Sequence, residues 1–202
     1  MKHLSEFTPT DLAALASADV ARALAEDVGS GDLTASLVDP SRRTRARILA
    51  REDAVICGTS WVEAAVRALD PQAQLTWHVA EGQRCSANQV VLEMEGLAQP
   101  LLTAERTALN FLQLLSAVAT KTATYVAAVA GTRAQIVDTR KTLPGLRLAQ
   151  KYAVTTGGGV NHRIGLYDAV LIKENHIAAA GGVAAVLQRV KDTVPQARFV
   201  EI

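Results

Sequence analysis

The sequence predicts an α/β protein. Residues 1–115 read as a mixed α+β N-terminal domain with a leading helix, and residues 116–202 as the first part of an α/β barrel-like domain that is incomplete at its C-terminus. Three observations predict this. Short apolar or alternating runs separated by Gly, Asn and Pro turns fill residues 44 to 96, the texture of a small strand-rich domain. Residues 101 to 131 are almost continuous helix former. After Gly131, short apolar strands alternate with helices, which argues for parallel βαβ units of a doubly wound sheet or an α/β barrel.

The elements follow in order. Residues 10 to 26 place apolar residues at helical spacing behind a Thr-Asp start that can cap a helix. The next nine residues, DVGSGDLTA, read as a turn-rich loop. Strands are expected in ARILA, AVICG, QLTWHVA and VVLEMEG, with one helical piece, SWVEAAVRAL, among them. The segment LLTAERTALNFLQLLSAVATKTATYVAAVAG is apolar on more than one face and reads as two packed, buried helices. Beyond it come strand AQIVD, helix PGLRLAQKYAV, a triple-glycine loop, strand DAVLIK, helix GGVAAVLQRVKDT and strand ARFVEI. Because the chain ends inside that apolar strand, whose open edge whole proteins usually cover, further residues are expected beyond Ile202.

Composition narrows the class. With 49% hydrophobic and 20% charged residues, 202 residues can bury a sizeable core. No window is long and apolar enough to span a bilayer, and the start lacks the basic-then-apolar order of a signal peptide, so a cytoplasmic enzyme is expected. Cys57 and Cys85 form no CxxC motif and read as reduced core residues. A net charge of +1 gives no support for a nucleic-acid or membrane partner. Its distribution is uneven. Residues 138 to 176 carry six Lys/Arg against three acids, whereas the other 163 residues carry fifteen against seventeen.

In parallel α/β architectures ligands lie at the carboxyl ends of the strands. Strand QIVD is followed by Thr139, Arg140 and Lys141, strand AVLIK ends at Lys173, strand RFVEI ends at Glu201, and the loop between carries His162 and Arg163. Five cationic or potentially cationic groups converging in a partly desolvated cleft call for a strong anion. Several cations suggest more than one anionic group, and the fork of an arginine suits carboxylate or phosphate. The glycines of TTGGGVNHRIG would then let the backbone approach the ligand and offer N–H groups. Each feature also has a plain structural reading: GGG alone is a weak signal, Lys141 and Arg147 fit solvated helix-start charges, His78 reads as structural and His3 as terminal. His162 and His176 with Asp168 or Glu174 lack metal-ligand spacing, and the surrounding cations oppose a metal, so no metal ligand is assigned.

The run VDTRKTLPGLRLAQKYAVTTGGGVNHRIGLYDAVLIKENHI closely resembles the signature of the quinolinate phosphoribosyltransferase family, also called nicotinate-nucleotide pyrophosphorylases (carboxylating). EDVGSGDLTASLV and LTAERTALNFLQLLSAVAT resemble it as well, so the likeness covers nearly the whole chain. It implies a glycosyltransferase of NAD biosynthesis that converts quinolinate and 5-phosphoribosyl 1-pyrophosphate, with Mg²⁺, to nicotinate mononucleotide, pyrophosphate and carbon dioxide. It implies that Arg140, His162, Arg163 and Lys173 hold the two carboxylates of quinolinate. Lys141 and Glu201 are implied on the ribose-phosphate side, and Lys141, Lys173 and Glu201 as the catalytic set. Arg106 resembles the arginine that a neighbouring subunit inserts, which implies a homodimer with shared active sites. Family members continue past the position of Ile202. Alternatives are a catalytically silent subunit that acts only by dimer association, a related transferase for another planar acid, and a Schiff-base aldolase using Lys173.

Overall fold

The structure, a computed structural model, describes residues 7–202. His3, read above as terminal, lies outside them. The described chain divides into two compact units. Unit 1 comprises residues up to Asp138 together with Thr142–Asn161, and unit 2 comprises Thr139–Lys141 with His162–Ile202.

Unit 1 begins with α1 (Pro9–Val28), which starts where the sequence supplies every N-terminal signal. Thr8 and Asp11 form a reciprocal capping box, and Pro9 occupies the first turn, where no N–H is needed. A short 3₁₀ turn, Ala35–Leu37, follows. Then come β1 (Arg43–Leu49), β2 (Ala54–Val55), α2 (Thr59–Leu69), β3 (Gln74–Trp77), β4 (Arg84–Cys85) and β5 (Val90–Leu97). β5 is the centre of an antiparallel sheet of order β1-β5-β3, with Arg45 opposite Glu95 and Leu75 opposite Met94. β1 alternates exposed and half-buried residues along its length, the signature of a sheet with one face on the core. β2 and β4 form a separate antiparallel pair.

The stretch expected to form two helices is a single one, α3 (Ala98–Ala128), of 31 residues. The physical reason is the absence of any breaker inside it. Pro100 falls in the first turn, and the hydroxyls of Thr122 and Thr124 bond back to the carbonyls of Val118 and Thr120 at 2.8 and 3.0 Å. Its several apolar faces are used by different neighbours within the unit: α2, the β-strands and α4 (Arg147–Thr156). The core joins Trp61, Val62, Leu92, Leu115 and Ala119, all inaccessible to solvent. Trp61 stacks toward Phe111 and donates its indole N–H to buried Asp19 at 3.0 Å, so α1 is tied to α2 by a polar bond inside an apolar contact.

The predicted strand AQIVD is reduced to one parallel bridge between Val137 and Val160. Unit 2 holds β6 (Val170–Leu171), α5 (Glu174–Ala180), α6 (Val183–Thr193) and β7 (Val200–Glu201), with β6 and β7 paired in parallel. Helix α5, seven residues too short to show periodicity, was not expected from the sequence. Parallel strands connected through helices keep the molecule in the α/β class.

Candidate active site

The carboxyl edge of the β6–β7 pair is built from backbone bonds outward. Phe199 O accepts from Val170 N at 3.0 Å, and Glu201 O accepts from Ile172 N at 2.8 Å, which brings the ends of the two strands into register. Lys173 follows β6 and Glu201 closes β7, so both stand at the same edge. Lys173 is exposed, and its backbone N–H donates to Nδ1 of His176 at 2.9 Å, a side-chain cap on the start of α5. His176 thus has a local structural partner.

The loop after Asn161 returns to this edge. Asp168, at the entry to β6, accepts the backbone N–H groups of Ile164 and Gly165 at 2.8 Å each, which ties the loop to the strand. His162 reaches Glu201, with Nε2 to Oε2 at 2.7 Å, and its ring meets Phe199 edge-on at 4.7 Å between centroids. The His162 side chain is 21% exposed and that of Glu201 is 55% exposed, so the pair lies at the surface rather than in the interior. Arg163 is half-buried in the same loop.

Thr139–Lys141 belongs to the same unit. Lys141 is exposed, and its N–H donates to Thr139 Oγ1 at 3.0 Å. Arg140 is half-buried, and its Nε is sealed from solvent with no hydrogen-bond partner. A buried guanidinium donor left unpaired costs the desolvation of that group, and an incoming acceptor relieves the cost. Six of the sequence-derived site residues, Arg140, Lys141, His162, Arg163, Lys173 and Glu201, therefore fall in unit 2. Arg106 does not: it lies exposed on α3 in unit 1.

The triple glycine has a different use from the one expected. All three N–H groups are already committed: Gly157 to Ala153 O, Gly158 to Thr155 O and Gly159 to Val154 O, at 2.9–3.0 Å. None is left to cradle an anion. A Cβ on Gly157 would stand 2.3 Å from Ala119 O, and one on Gly159 would stand 2.9 Å from the Thr122 methyl, while Gly158 takes φ +87°. The glycines let the end of α4 turn sharply against the backbone of α3.

Sequence reasoning also missed a buried polar group in unit 1. Lys151 of α4, 1% exposed, is ion-paired with Asp138, and Asn161 Nδ2 donates to Asp138 Oδ2 at 2.6 Å. The two charges stand 13 residues apart, and no spacing motif links them. The available signal was Lys151 itself, a lysine between the buried Ala149 and Ala153 of α4. In the same unit Glu81 accepts from the N–H groups of Gly58 and Thr59, at 2.9 Å each, and caps α2 where φ of Gly58 is +108°. Burial, then the nearby Glu81 charge, pushes the Cys57 thiol up, away from the reactive thiolate. Neither Cys57 nor Cys85 is in a disulfide, and both are buried.

The parallel β6–β7 edge thus carries Lys173 and Glu201, with His162 bonded to that carboxylate and Arg140, Lys141 and Arg163 in the same unit, a set of cations suited to an anion. The chain belongs to the quinolinate phosphoribosyl transferase family: the family's N-terminal domain matches residues 32–116 and its C-terminal domain residues 118–202. It is 42% identical over 179 residues to a probable nicotinate-nucleotide pyrophosphorylase [carboxylating] of Synechocystis sp., covering 89% of this chain and 61% of that protein. It is 44% identical over 184 residues to the nicotinate-nucleotide pyrophosphorylase [carboxylating] of Mycobacterium leprae, covering 88% and 64% respectively. The nicotinate-nucleotide pyrophosphorylase structure from Francisella tularensis superposes with a TM-score of 0.91 at 41% identity, over 100% of this chain and 71% of that one. The chain thus spans somewhat under two thirds of the length of these two curated relatives.

Proposed function

We propose that this chain supplies the quinolinate-binding part of a decarboxylating phosphoribosyl transfer site that forms nicotinate mononucleotide for NAD synthesis. The observation that carries the reading is Arg140, a half-buried guanidinium whose Nε lacks any partner at the unit that also gathers His162, Arg163 and Lys173. These four side chains hold the two carboxylates of quinolinate, and each charge-assisted bond contributes about 1.5–3 kcal/mol. Fixing both carboxylates orients the pyridine nitrogen toward C1 of 5-phosphoribosyl 1-pyrophosphate, and such orientation lowers the barrier without new chemistry. The nitrogen forms a bond to C1 as the bond to pyrophosphate breaks, and pyrophosphate departs with the electron pair.

The exposed Glu201 carboxylate binds ribose hydroxyls and offsets the charge growing on C1, while Lys141 meets the phosphates. The alkylated ring is then cationic. When the bond from C2 to the carboxyl carbon breaks, carbon dioxide leaves, the electron pair stays on C2 beside the positive nitrogen, and a solvent proton replaces it.

Mg²⁺ is the companion of the sugar pyrophosphate in this reading. Among the described residues no three His, Cys, Asp or Glu side chains cluster to hold a metal, whereas magnesium ordinarily keeps its waters and takes one or two carboxylates plus substrate phosphates. Glu201 is an exposed carboxylate at the strand edge of unit 2 and is suited to that part. Arg106, exposed on α3, is proposed to complete a second copy's site in a homodimer. The reading places the protein in the cytoplasm, a setting that suits the two free cysteines, and no helix among the described residues is long and apolar enough to cross a membrane.

The experiment is direct. The chain is incubated with quinolinate, 5-phosphoribosyl 1-pyrophosphate and Mg²⁺, and nicotinate mononucleotide is followed by mass, alongside calorimetric titration with quinolinate alone. Quinolinate binding by the chain is expected, with product formed where the rest of the phosphoribosyl site is supplied; absence of quinolinate binding overturns the proposal.

A further inference from the structure

We infer that Asp138, Lys151 and Asn161 are positioning residues that fix the starting points of the two substrate loops, a role that rests on the function proposed above. The Lys151 and Asp138 side chains are 1% and 6% exposed and form an ion pair. Asn161 Nδ2 bridges them, donating to Asp138 Oδ2 at 2.6 Å and to the backbone oxygen of Lys151 at 2.9 Å. The backbone adds two links: Asp138 N donates to Val160 O at 3.1 Å, and Val160 N donates to Ile136 O at 2.8 Å. Residues 136–138 and 160–161 are therefore laced together inside unit 1.

The chain leaves unit 1 immediately after two of these residues. Thr139, Arg140 and Lys141 follow Asp138, and His162 and Arg163 follow Asn161. Four of the six proposed ligand residues of unit 2 thus lie within three positions of a network member. The network holds the two departure points at hydrogen-bond distance from one another, whatever the loops themselves do.

Stability alone does not account for this arrangement. Burial strips both ions of their hydration, and apolar residues of similar volume are often as stable or more so in such places. The network also tolerates a buried Asn161 Oδ1 with no hydrogen-bond partner, an expense with no packing return. What an ion pair with a bridging amide provides, and an apolar contact does not, is direction: hydrogen bonds hold Asp138 and Asn161 at one separation and one orientation, where methyl groups permit sliding. Displacement of a binding group by about 1 Å can cost on the order of a hundredfold in rate, so the proposed chemistry is sensitive to where these loops begin.

The test uses the double variant Asp138→Leu/Lys151→Met in the full chain, with thermal unfolding, quinolinate calorimetry and amide hydrogen exchange read together. The expected result is a melting temperature close to the parent's, a quinolinate Kd raised at least about tenfold, and faster exchange confined to residues 136–141 and 160–163. A folded double variant with the parent's Kd and the parent's exchange pattern overturns the inference. Should the double variant not fold, Asn161→Ala keeps the ion pair and removes only the bridge. It is expected to raise Kd about threefold or more with the same local exchange, and parental values there also overturn it. Failure of the parent to bind quinolinate sinks the proposed function instead, and the exchange pattern still decides whether the network anchors the two loops.

Discussion

Unit 1 and unit 2 are held together in opposite ways. In unit 1 large side chains such as Trp61, Leu92 and Leu115 are removed from solvent entirely, and buried polar groups such as Asp19 are hydrogen-bonded. In unit 2 the fully covered apolar residues are small in number, Ile164, Ala169 and Ile172, and neither α5 nor α6 buries a residue. Its order comes from backbone bonds and from side chains that grip the main chain, Asp168 on the Ile164 and Gly165 amides and His176 on the Lys173 amide. The contrast teaches where to look for each kind of effect. Packing is concentrated in the unit that carries Arg106 alone among the assigned residues, and the ligand groups ride on the unit with little core, where local opening is cheapest.

Substitutions can break that division of labour. The largest effect is expected for Leu115→Ala in the centre of α3, where an inaccessible side chain is replaced by a cavity at a cost of about 2–5 kcal/mol. Denaturant unfolding measures it, and the folded fraction should still bind quinolinate with the parent's affinity. Arg140→Ala should do the reverse: unfolding unchanged, quinolinate affinity lowered by roughly 1.5–3 kcal/mol, and phosphoribosyl pyrophosphate affinity far less affected. Equal weakening of both ligands in calorimetry would remove Arg140 from the dicarboxylate site.

Gly157→Ala sharpens the comparison, because the glycine run was first read as part of the ligand site and the structure assigns it to packing. The new methyl would meet the Ala119 carbonyl at 2.3 Å, so a loss of stability of about 1–3 kcal/mol is expected with little change in ligand affinity. A normal melting temperature with lost binding would return the glycines to the ligand.

The smallest effect concerns Asp32 in unit 1. The Ala35 amide first, then the Thr103 hydroxyl and the Thr34 amide, hold its carboxyl below the ordinary value of 3.8. A depressed carboxyl stabilises the fold fully above its unfolded value, and that contribution fades as pH falls through the lower folded value. Melting curves of Asp32→Asn and the parent should therefore differ slightly at neutral pH and converge in strong acid; a gap that widens on acidification would reverse the assignment.

Much of unit 1 was legible locally. The alternation along β1 and β5 and the unbroken helix formers of α3 are patterns within a few residues of one another; the errors were a cap sought at Thr10–Asp11 where Thr8 serves with Asp11, and a helix divided where nothing divides it. The strand-end rule also led to Lys173 and Glu201, because a short apolar run followed by a charge marks the end of a strand. The glycines misled for a physical reason. Close approach to a ligand and close approach to another helix demand the same absence of Cβ, and only the position of Ala119 and Thr122 separates the two. Lys151 entered only as one of the six cations of residues 138 to 176, since nothing near it in sequence announces Asp138 and Asn161 as partners.

The sequence by itself determined the class of fold, the order of its elements and the stretch of chain into which the positive charge is gathered, since periodicity and turn chemistry act over a few neighbouring residues. Tertiary structure decided which of those charges are withdrawn from water and which stay available: Lys151 is sealed against Asp138, Arg140 keeps a buried nitrogen unpaired, and His162 reaches Glu201 across 39 positions. Desolvation depends on what segments distant in the chain bring to a side chain, and that information exists only after they have packed.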